Sequence, residues 1–192
     1  MKKKFALCLL LSLTNSFFCQ SVHQNIYNWD VLVNCNPDTV YAISFSKNKL
    51  EALPNDLIRY KNLEYLDVSK NKLSSLPSFI GDFQNLKHLD ISKNEFLVFP
   101  VEICRLGNLM YLIANRNTFT SLPDCIKYCS NLEYLDLWDT PVSEFPLGFD
   151  NLAKLKKLDL SGIRFGPTFQ QTLKQRLPNT EILFDPPCDC ME

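Results

Sequence analysis

The chain of 192 residues is long enough for one domain or one short repeat array, and its composition, 46% hydrophobic and 21% charged, is that of a folded protein. Its formal net charge of -1 provides no field that would attract nucleic acid or an anionic membrane, so we predict neither as a partner. Proline outnumbers glycine by eleven to five, which favours regularly spaced turns over flexible linkers.

Residues 1–19 have the pattern of a secretory signal peptide. Three lysines precede the uncharged apolar run 5–13, which is too short to cross a bilayer core of about 30 Å. Cleavage after Ser16 puts small residues at both positions of the cleavage rule, and cleavage after Cys19 at only one. A lipid on Cys19 is a third interpretation, which the bulky Phe17 and Phe18 disfavour. We therefore expect a secreted, periplasmic or cell-surface protein without a later membrane span.

Residues 20–39 precede the regular part of the chain and are predicted to form an N-terminal cap. Their apolar side chains suit a cover for the first repeat: Ile26, Tyr27, Trp29, Val31 and Leu32. Such a cover is expected because a repeat array that buries apolar surface between its units has two open ends.

A period of 23 residues then runs through six units, residues 40–177, without insertion. The units begin at Val40, Leu63, Leu86, Leu109, Leu132 and Leu155. In the second unit Leu63, Leu66 and Val68 are apolar with polar residues between them, which predicts a short strand with one buried face. Ile80 and Phe83, three residues apart, predict the inward face of a helical turn later in the unit.

An asparagine follows the predicted strand in four units, and a proline follows it in five. An asparagine amide both donates and accepts hydrogen bonds, so it can satisfy backbone groups where the chain bends. We expect four of these side chains to stack as a ladder: Asn48, Asn71, Asn94 and Asn117. The proline suits the first position of a short helical turn, and its equivalents are Pro54, Pro77, Pro100, Pro123 and Pro146.

The pattern fades toward the C-terminus, as the end of a repeat array should. Thr140 replaces the asparagine in the fifth unit, and Ile163 replaces it in the sixth. Residues 169–177 predict a longer amphipathic helix that ends at Pro178, and residues 181–184 predict a last edge strand. We assign 178–192 to this cap strand and a polar tail.

These units resemble the leucine-rich repeat family in its 23-residue form with an LPxxIxxL half, a form also found in Ras-pathway scaffold proteins and many bacterial repeat proteins. The resemblance covers about residues 40–177. It implies an α/β fold, a curved leucine-rich-repeat solenoid with parallel strands on the concave face and short helical turns on the convex face. It also implies recognition of other proteins, and sometimes of other ligands, as the general function.

Alternate strand residues should face solvent on the concave side, and the third position of each unit carries the most distinctive column. Four consecutive units place a ring there: Tyr65, His88, Tyr111 and Tyr134. The candidate surface is completed by residues that break the regular columns in the fourth and fifth units: Ile113, Asn115, Arg116, Trp138 and Asp139. Tyrosine and tryptophan bury large areas at low entropic cost, so we predict a protein partner here. The alternative is that the rings only shield the strands.

The candidates for chemistry are weak. His88, Asp90 and Ser92 share one strand face, but His88 and Ser92 should lie about 13 Å apart, too far for a catalytic triad. The aspartate column at the fifth position could hold a cation, yet a solvated face explains it better. With neither a phosphate loop nor metal-ligand spacing in the sequence, we predict a protein that is not an enzyme and uses no metal or cofactor.

Six cysteines follow the signal segment: Cys35, Cys104, Cys125, Cys129, Cys188 and Cys190. Cys129 takes an inward position, which predicts a small buried hydrophobe. Cys104 and Cys125 fall on adjacent convex turns, where a bridge is possible. Cys188 and Cys190 could pair with each other, pair with another chain or stay free. A second hypothesis is therefore a structural or adhesive component, tethered by disulfide or by lipid; the oligomeric state stays open.

Overall fold

The computed structural model describes residue 32 and residues 35–185. The predicted signal segment, most of the predicted cap, and Cys188 and Cys190 lie outside the described residues. Leu32 is buried, and its carbonyl oxygen accepts a hydrogen bond of 3.0 Å from the buried Tyr60 hydroxyl of the first repeat.

Seven short strands form one parallel sheet in chain order. They are β1 Ala42–Ser44, β2 Tyr65–Asp67, β3 His88–Asp90, β4 Tyr111–Ile113, β5 Tyr134–Asp136, β6 Lys157–Asp159 and β7 Glu181–Leu183. From β1 to β6 each residue pairs with the residue one period further along, as Ala42 does with Tyr65. The open sheet with one short helical turn per unit confirms the predicted solenoid class.

Short 3₁₀ helices return the chain from one strand to the next: Pro37–Thr39, Asn55–Arg59, Ser78–Asp82, Val101–Arg105, Asp124–Tyr128 and Leu147–Asn151. The prediction that the repeated proline is the first helical residue is wrong. Pro77 is the N-cap of its turn, and its carbonyl accepts the first bond, from Ile80 N, at 3.0 Å. The longer helix, α1 Pro167–Arg176, begins two residues earlier than predicted, at a proline whose absent N–H costs nothing there.

The core is one continuous cluster between the sheet and the turns. In the second unit every apolar position singled out by the period is buried: Leu63, Leu66, Val68, Leu73, Leu76, Ile80 and Phe83. Stacking of the units therefore buries the apolar side chains that a single unit would leave exposed. Within the described part of the chain, no helix has the length and apolar character to cross a membrane.

The asparagine ladder has three members rather than the four predicted. Asn71, Asn94 and Asn117 are buried, and each amide nitrogen donates to a carbonyl in its own unit and to one in the preceding unit. Asn48 is exposed, and its backbone N–H donates to Asn71 Oδ1 at 3.1 Å.

A second row of asparagines, which sequence analysis missed, lies at the last position of four units. Each side-chain nitrogen donates to a backbone carbonyl 24 residues earlier: Asn62 to Asp38, Asn85 to Lys61, Asn108 to Gln84 and Asn131 to Gly107. The recurrence of one residue type in four successive units was the available signal. Together the two rows fix the bends before and after the strands.

The cysteines of the convex side occupy two different environments. Cys104 and Cys125 form a disulfide between adjacent turns, with Cα atoms 5.5 Å apart, so the bridge that spacing left open is present. Cys129 is fully buried, and its thiol donates to Ile103 O at 3.3 Å, as its inward position predicted. Burial raises the pKa of the Cys129 thiol to about 12, which makes it an unreactive core residue.

Candidate binding surface

Four rings form a continuous aromatic ridge across β2, β3, β4 and β5, made of Tyr65, His88, Tyr111 and Tyr134. The strand register puts each ring beside the next. The centroid distances along the ridge are 6.0, 4.4 and 6.5 Å, and the His88 and Tyr111 rings are stacked, with planes 3° apart. All four side chains are half-buried because they pack on one another, so the ridge presents edges and polar tips.

The phenol groups at the two ends of the ridge stay neutral at physiological pH. Burial, then the charges of Asp67 and Asp90, raise the pKa of Tyr65. Burial, then the charges of Asp136 and Asp159, raise the pKa of Tyr134 to about 12. Neutral hydroxyls both donate and accept hydrogen bonds, which suits them to polar contacts with a partner.

The aspartate column beside the ridge has a structural task. One oxygen of each carboxylate accepts the backbone N–H two residues later: Asp67 from Ser69, Asp90 from Ser92, Asp136 from Trp138 and Asp159 from Ser161, at 2.8 to 3.0 Å. Burial is the main cause that raises the pKa of Asp90 and of Asp136. The column therefore caps the strand ends, which explains its regularity without a ligand.

Past the strand ends, Arg116, Trp138 and Asp139 form one cluster. The Arg116 guanidinium lies 4.3 Å from the centroid of the Trp138 ring, and its Nε is 3.1 Å from Asp139 Oδ2. Stacking and ion pairing hold the arginine over the indole, while Trp138 is half-buried and both charged residues are exposed. Arginine and tryptophan are the residue types most enriched at binding hot spots.

Two substitutions in the fourth unit, at the end of β4 and just beyond it, interrupt the bonding of the repeat. Ile113 lies in register between Asp90 and Asp136 and has no oxygen to cap the following backbone. Asn115 Nδ2 donates to Asp136 Oδ2 at 2.6 Å, whereas the buried Asn115 Oδ1 has no hydrogen-bond partner among the described residues. A buried oxygen without a hydrogen bond destabilises the fold, so folding alone does not explain the choice of Asn115.

The nine predicted residues follow one another along one face. The ridge occupies the third position of four units, and the cluster the seventh and eighth positions of the next part of the face, about 13 Å or more away along the strands. Ile113 is the apolar side chain at the fifth position between them, and Asn115 takes the same seventh position as Trp138.

The eighth position of the units has a conformation that sequence analysis missed. Its residues all adopt positive φ: Lys47 63°, Lys70 57°, Lys93 54°, Arg116 52°, Asp139 54° and Gly162 79°. The first five donate their N–H groups to the carbonyl of the seventh residue of the next unit, as Lys70 does to Ser92 O at 2.9 Å. Gly162 in the same column was the available signal, because glycine alone adopts positive φ without steric cost.

The residues considered for catalysis have structural surroundings. The His88 ring is stacked on Tyr111, and Ser92 is a buried residue beyond the end of β3. No group of three or more His, Cys, Asp or Glu side chains among residues 35–185 is arranged to hold a metal ion.

An open parallel sheet of in-register units, with an aromatic face on one side and helical turns on the other, defines a solenoid repeat protein, a class whose exposed sheet commonly mediates protein–protein binding. A family model for leucine-rich repeat regions matches residues 40–181. The chain therefore belongs to the leucine-rich repeat family, whose members are typically non-enzymatic binding modules. A search of curated proteins found no match.

Solved structures of this fold include proteins of two bacteria and a plant. A leucine-rich repeat protein of Leptospira interrogans is 28% identical over 84% of this chain, with a TM-score of 0.64. An internalin of Listeria monocytogenes is 21% identical over 76%, with a TM-score of 0.65. The ectodomain of the Arabidopsis thaliana receptor kinase GASSHO1/SCHENGEN3, in complex with Casparian strip integrity factor 2, is 25% identical over 73%, with a TM-score of 0.57. The matches span 48%, 41% and 18% of those chains, so this chain corresponds to less than half of each.

Proposed function

We propose that this chain is an exported, non-enzymatic binding module, similar to those of bacterial repeat proteins, that recognises a protein partner on its concave face. The observation that carries the proposal is the continuous ridge of four rings, together with the Arg116–Trp138 pair further along the same face. Ordered aromatic side chains lose little entropy on binding, and their polar tips give directional contacts.

The dimensions of the face suit a protein partner. The ridge runs about 14 Å across four strands, and the cluster begins about 13 Å from it along the strands. These two anchors, linked by the apolar Ile113, occupy the middle of the array, where surrounding side chains can exclude water from a contact. A small number of central aromatic and arginine anchors is the usual composition of a protein-binding hot spot.

Two further observations support export and protein binding. The Cys104–Cys125 disulfide suits an oxidising compartment, as does the apolar N-terminal segment. The plant receptor ectodomain that shares this fold was solved in complex with Casparian strip integrity factor 2, which supports partner binding as a use of this fold.

The test is an affinity capture from the extracellular or periplasmic fraction of the native source, with the mature chain and two variants. The surface variant changes Tyr65, Tyr111, Tyr134 and Trp138 to Ala. The control variant changes four exposed apolar residues away from the face to Ala: Leu97, Val98, Tyr128 and Leu147. Circular dichroism checks that both variants are folded.

We expect one protein to be captured by the wild type and by the control variant, and lost by the surface variant. Equal capture by both variants would overturn the concave-face site. Capture of nothing but copies of the chain itself, linked by disulfides, would favour the structural or adhesive role instead.

A further inference from the structure

The eighth position of the first four units forms a row of cations along one edge of the concave face: Lys47, Lys70, Lys93 and Arg116. We call these residues the basic row. Backbone bonds from each of them to the next unit hold neighbouring members one strand spacing apart, about 4.8 Å. In the fifth and sixth units the row ends at Asp139 and Gly162, so its charge is confined to the N-terminal two thirds of the face.

The chain uses lysine and arginine in this row where they fit the backbone poorly. All four adopt φ between 52° and 63°, a region in which a Cβ atom meets the neighbouring carbonyl. Gly162 shows that glycine occupies the same position, and asparagine tolerates it better than lysine does. Local backbone geometry therefore does not explain these side chains, and of the four only Arg116 has an ion-pair partner among residues 35–185.

Charges at the opposite edge of the face follow a different rule. At the second position of the units they alternate in sign and pair between strands, as in Lys87 with Glu64 at 2.8 Å and Lys156 with Glu133 at 2.7 Å. The basic row instead repeats one sign. Among residues 35–185 no carboxylate is within ion-pair distance of the amino groups of Lys47, Lys70 or Lys93.

We propose that the basic row binds an acidic, extended segment of the protein partner that crosses the strands at this edge. This inference rests on the proposed function and specifies the chemistry of the partner. The row spans about 14 Å from Lys47 to Arg116, which an extended chain covers with four to five residues at about 3.3 Å each. Arg116 stacks on Trp138, so the segment would run directly into the aromatic anchor.

A labelled peptide of five glutamates tests the charge recognition by fluorescence anisotropy, beside a peptide of five glutamines. The row variant is Lys47→Gln, Lys70→Gln and Lys93→Gln, which leaves Arg116 in place on the indole. The control variant removes the same charge elsewhere, by glutamine at Lys61, Lys154 and Lys174. Melting temperatures confirm that both variants are folded.

We expect the wild type to bind the glutamate peptide and not the glutamine peptide, with an affinity that falls as salt is raised. The row variant should bind at least tenfold more weakly, and the control variant within twofold of the wild type. Equal loss in the two variants would reduce the effect to net charge and overturn the proposal. Absence of peptide binding, or tighter row-dependent binding of a heparin oligosaccharide, would also overturn it.

The failure of this inference and that of the proposed function are distinguishable. A partner that the surface variant still captures contradicts the concave-face site, whether or not the row variant captures it. A partner lost by that variant but captured equally by the row variant and the wild type leaves the site in place, and removes only the acidic segment.

Discussion

Members of the buried asparagine ladder share their acceptors, so alanine should cost different amounts at positions that look equivalent in sequence. The carbonyl of Val68 accepts from both Asn71 and Asn94, at 2.9 and 3.0 Å. The carbonyl of Ile91 likewise accepts from both Asn94 and Asn117. If Asn94 is removed, each of these carbonyls therefore keeps one partner.

The end of the ladder at Asn117 lacks this redundancy. In the middle, Asn94→Ala leaves only one buried donor unpaired, the Leu73 N–H, which donates to Asn94 Oδ1 at 3.0 Å in the wild type. Asn117→Ala unpairs the Phe96 N–H and also the Ala114 carbonyl, which has no other donor among the described residues. Each orphaned buried group costs about 1–3 kcal/mol, so we expect Asn117→Ala to be more destabilising than Asn94→Ala by about that amount.

Thr140 offers a way to test the mechanism itself. Its hydroxyl donates to Leu137 O at 2.7 Å and so leaves Ala114 O to Asn117 alone. Thr140→Asn should extend the ladder and give Ala114 O a second donor, which reduces the cost of Asn117→Ala by about 1 kcal/mol in a double-mutant cycle.

Urea unfolding followed by far-ultraviolet circular dichroism measures all four free energies of the cycle, and the exposed Asn48→Ala is the control, expected within about 0.5 kcal/mol of the wild type. Equal costs at Asn94 and Asn117, together with zero coupling to Thr140→Asn, would refute the argument from shared acceptors.

Three further changes have expected outcomes. Asp90→Asn keeps the acceptor for the Ser92 N–H. Because burial raises the pKa of Asp90 in the folded state, the ionised carboxylate destabilises the wild type at neutral pH. Urea titrations at several pH values should show the variant to be more stable than the wild type at pH 7 and to lose that advantage below about pH 4. Alanine at both Cys104 and Cys125 removes a disulfide that joins residues 21 positions apart and so constrains the unfolded chain. We expect this change to lower the unfolding free energy measured in urea by about 3 kcal/mol. An unchanged free energy would argue against this bridge. Asn115→Ser removes the unpaired Oδ1 and also the Nδ2 donor to Asp136. The two effects oppose each other, so the unfolding free energy should stay within about 1 kcal/mol of the wild type while capture of the partner weakens, and a larger loss of stability would contradict the assigned cost of the unpaired oxygen.

The sheet, its register and its core were predictable because one period controls them all. A leucine at the same place in every unit has one way to be buried when the units stack, so the period alone identified the interior. The asparagine ladder was predictable in its middle and wrong at Asn48, because the period does not say that a bonded group needs a unit on each side.

The binding face was less predictable. The residues of the ridge could be read from alternation along the strands, but their stacking and half-burial depend on side-chain torsions that no pattern records. The positive φ of Lys70 and its equivalents was hidden because lysine is not a residue type that marks this conformation, and Gly162 alone hinted at it. The stack of Arg116 on Trp138 joins residues 22 positions apart, which only the register brings together.

Departures from the repeat are informative because most positions of each unit already have a bonding task. An aspartate at the fifth position caps a backbone N–H, and Ile113 gives up that bond. Asn115 replaces the usual serine and buries an oxygen that has no partner among the described residues. Two positions of one unit thus reduce stability, and they lie between the aromatic ridge and Arg116. Selection for folding alone would favour the consensus residues there, so the cost itself points to the centre of the partner's footprint.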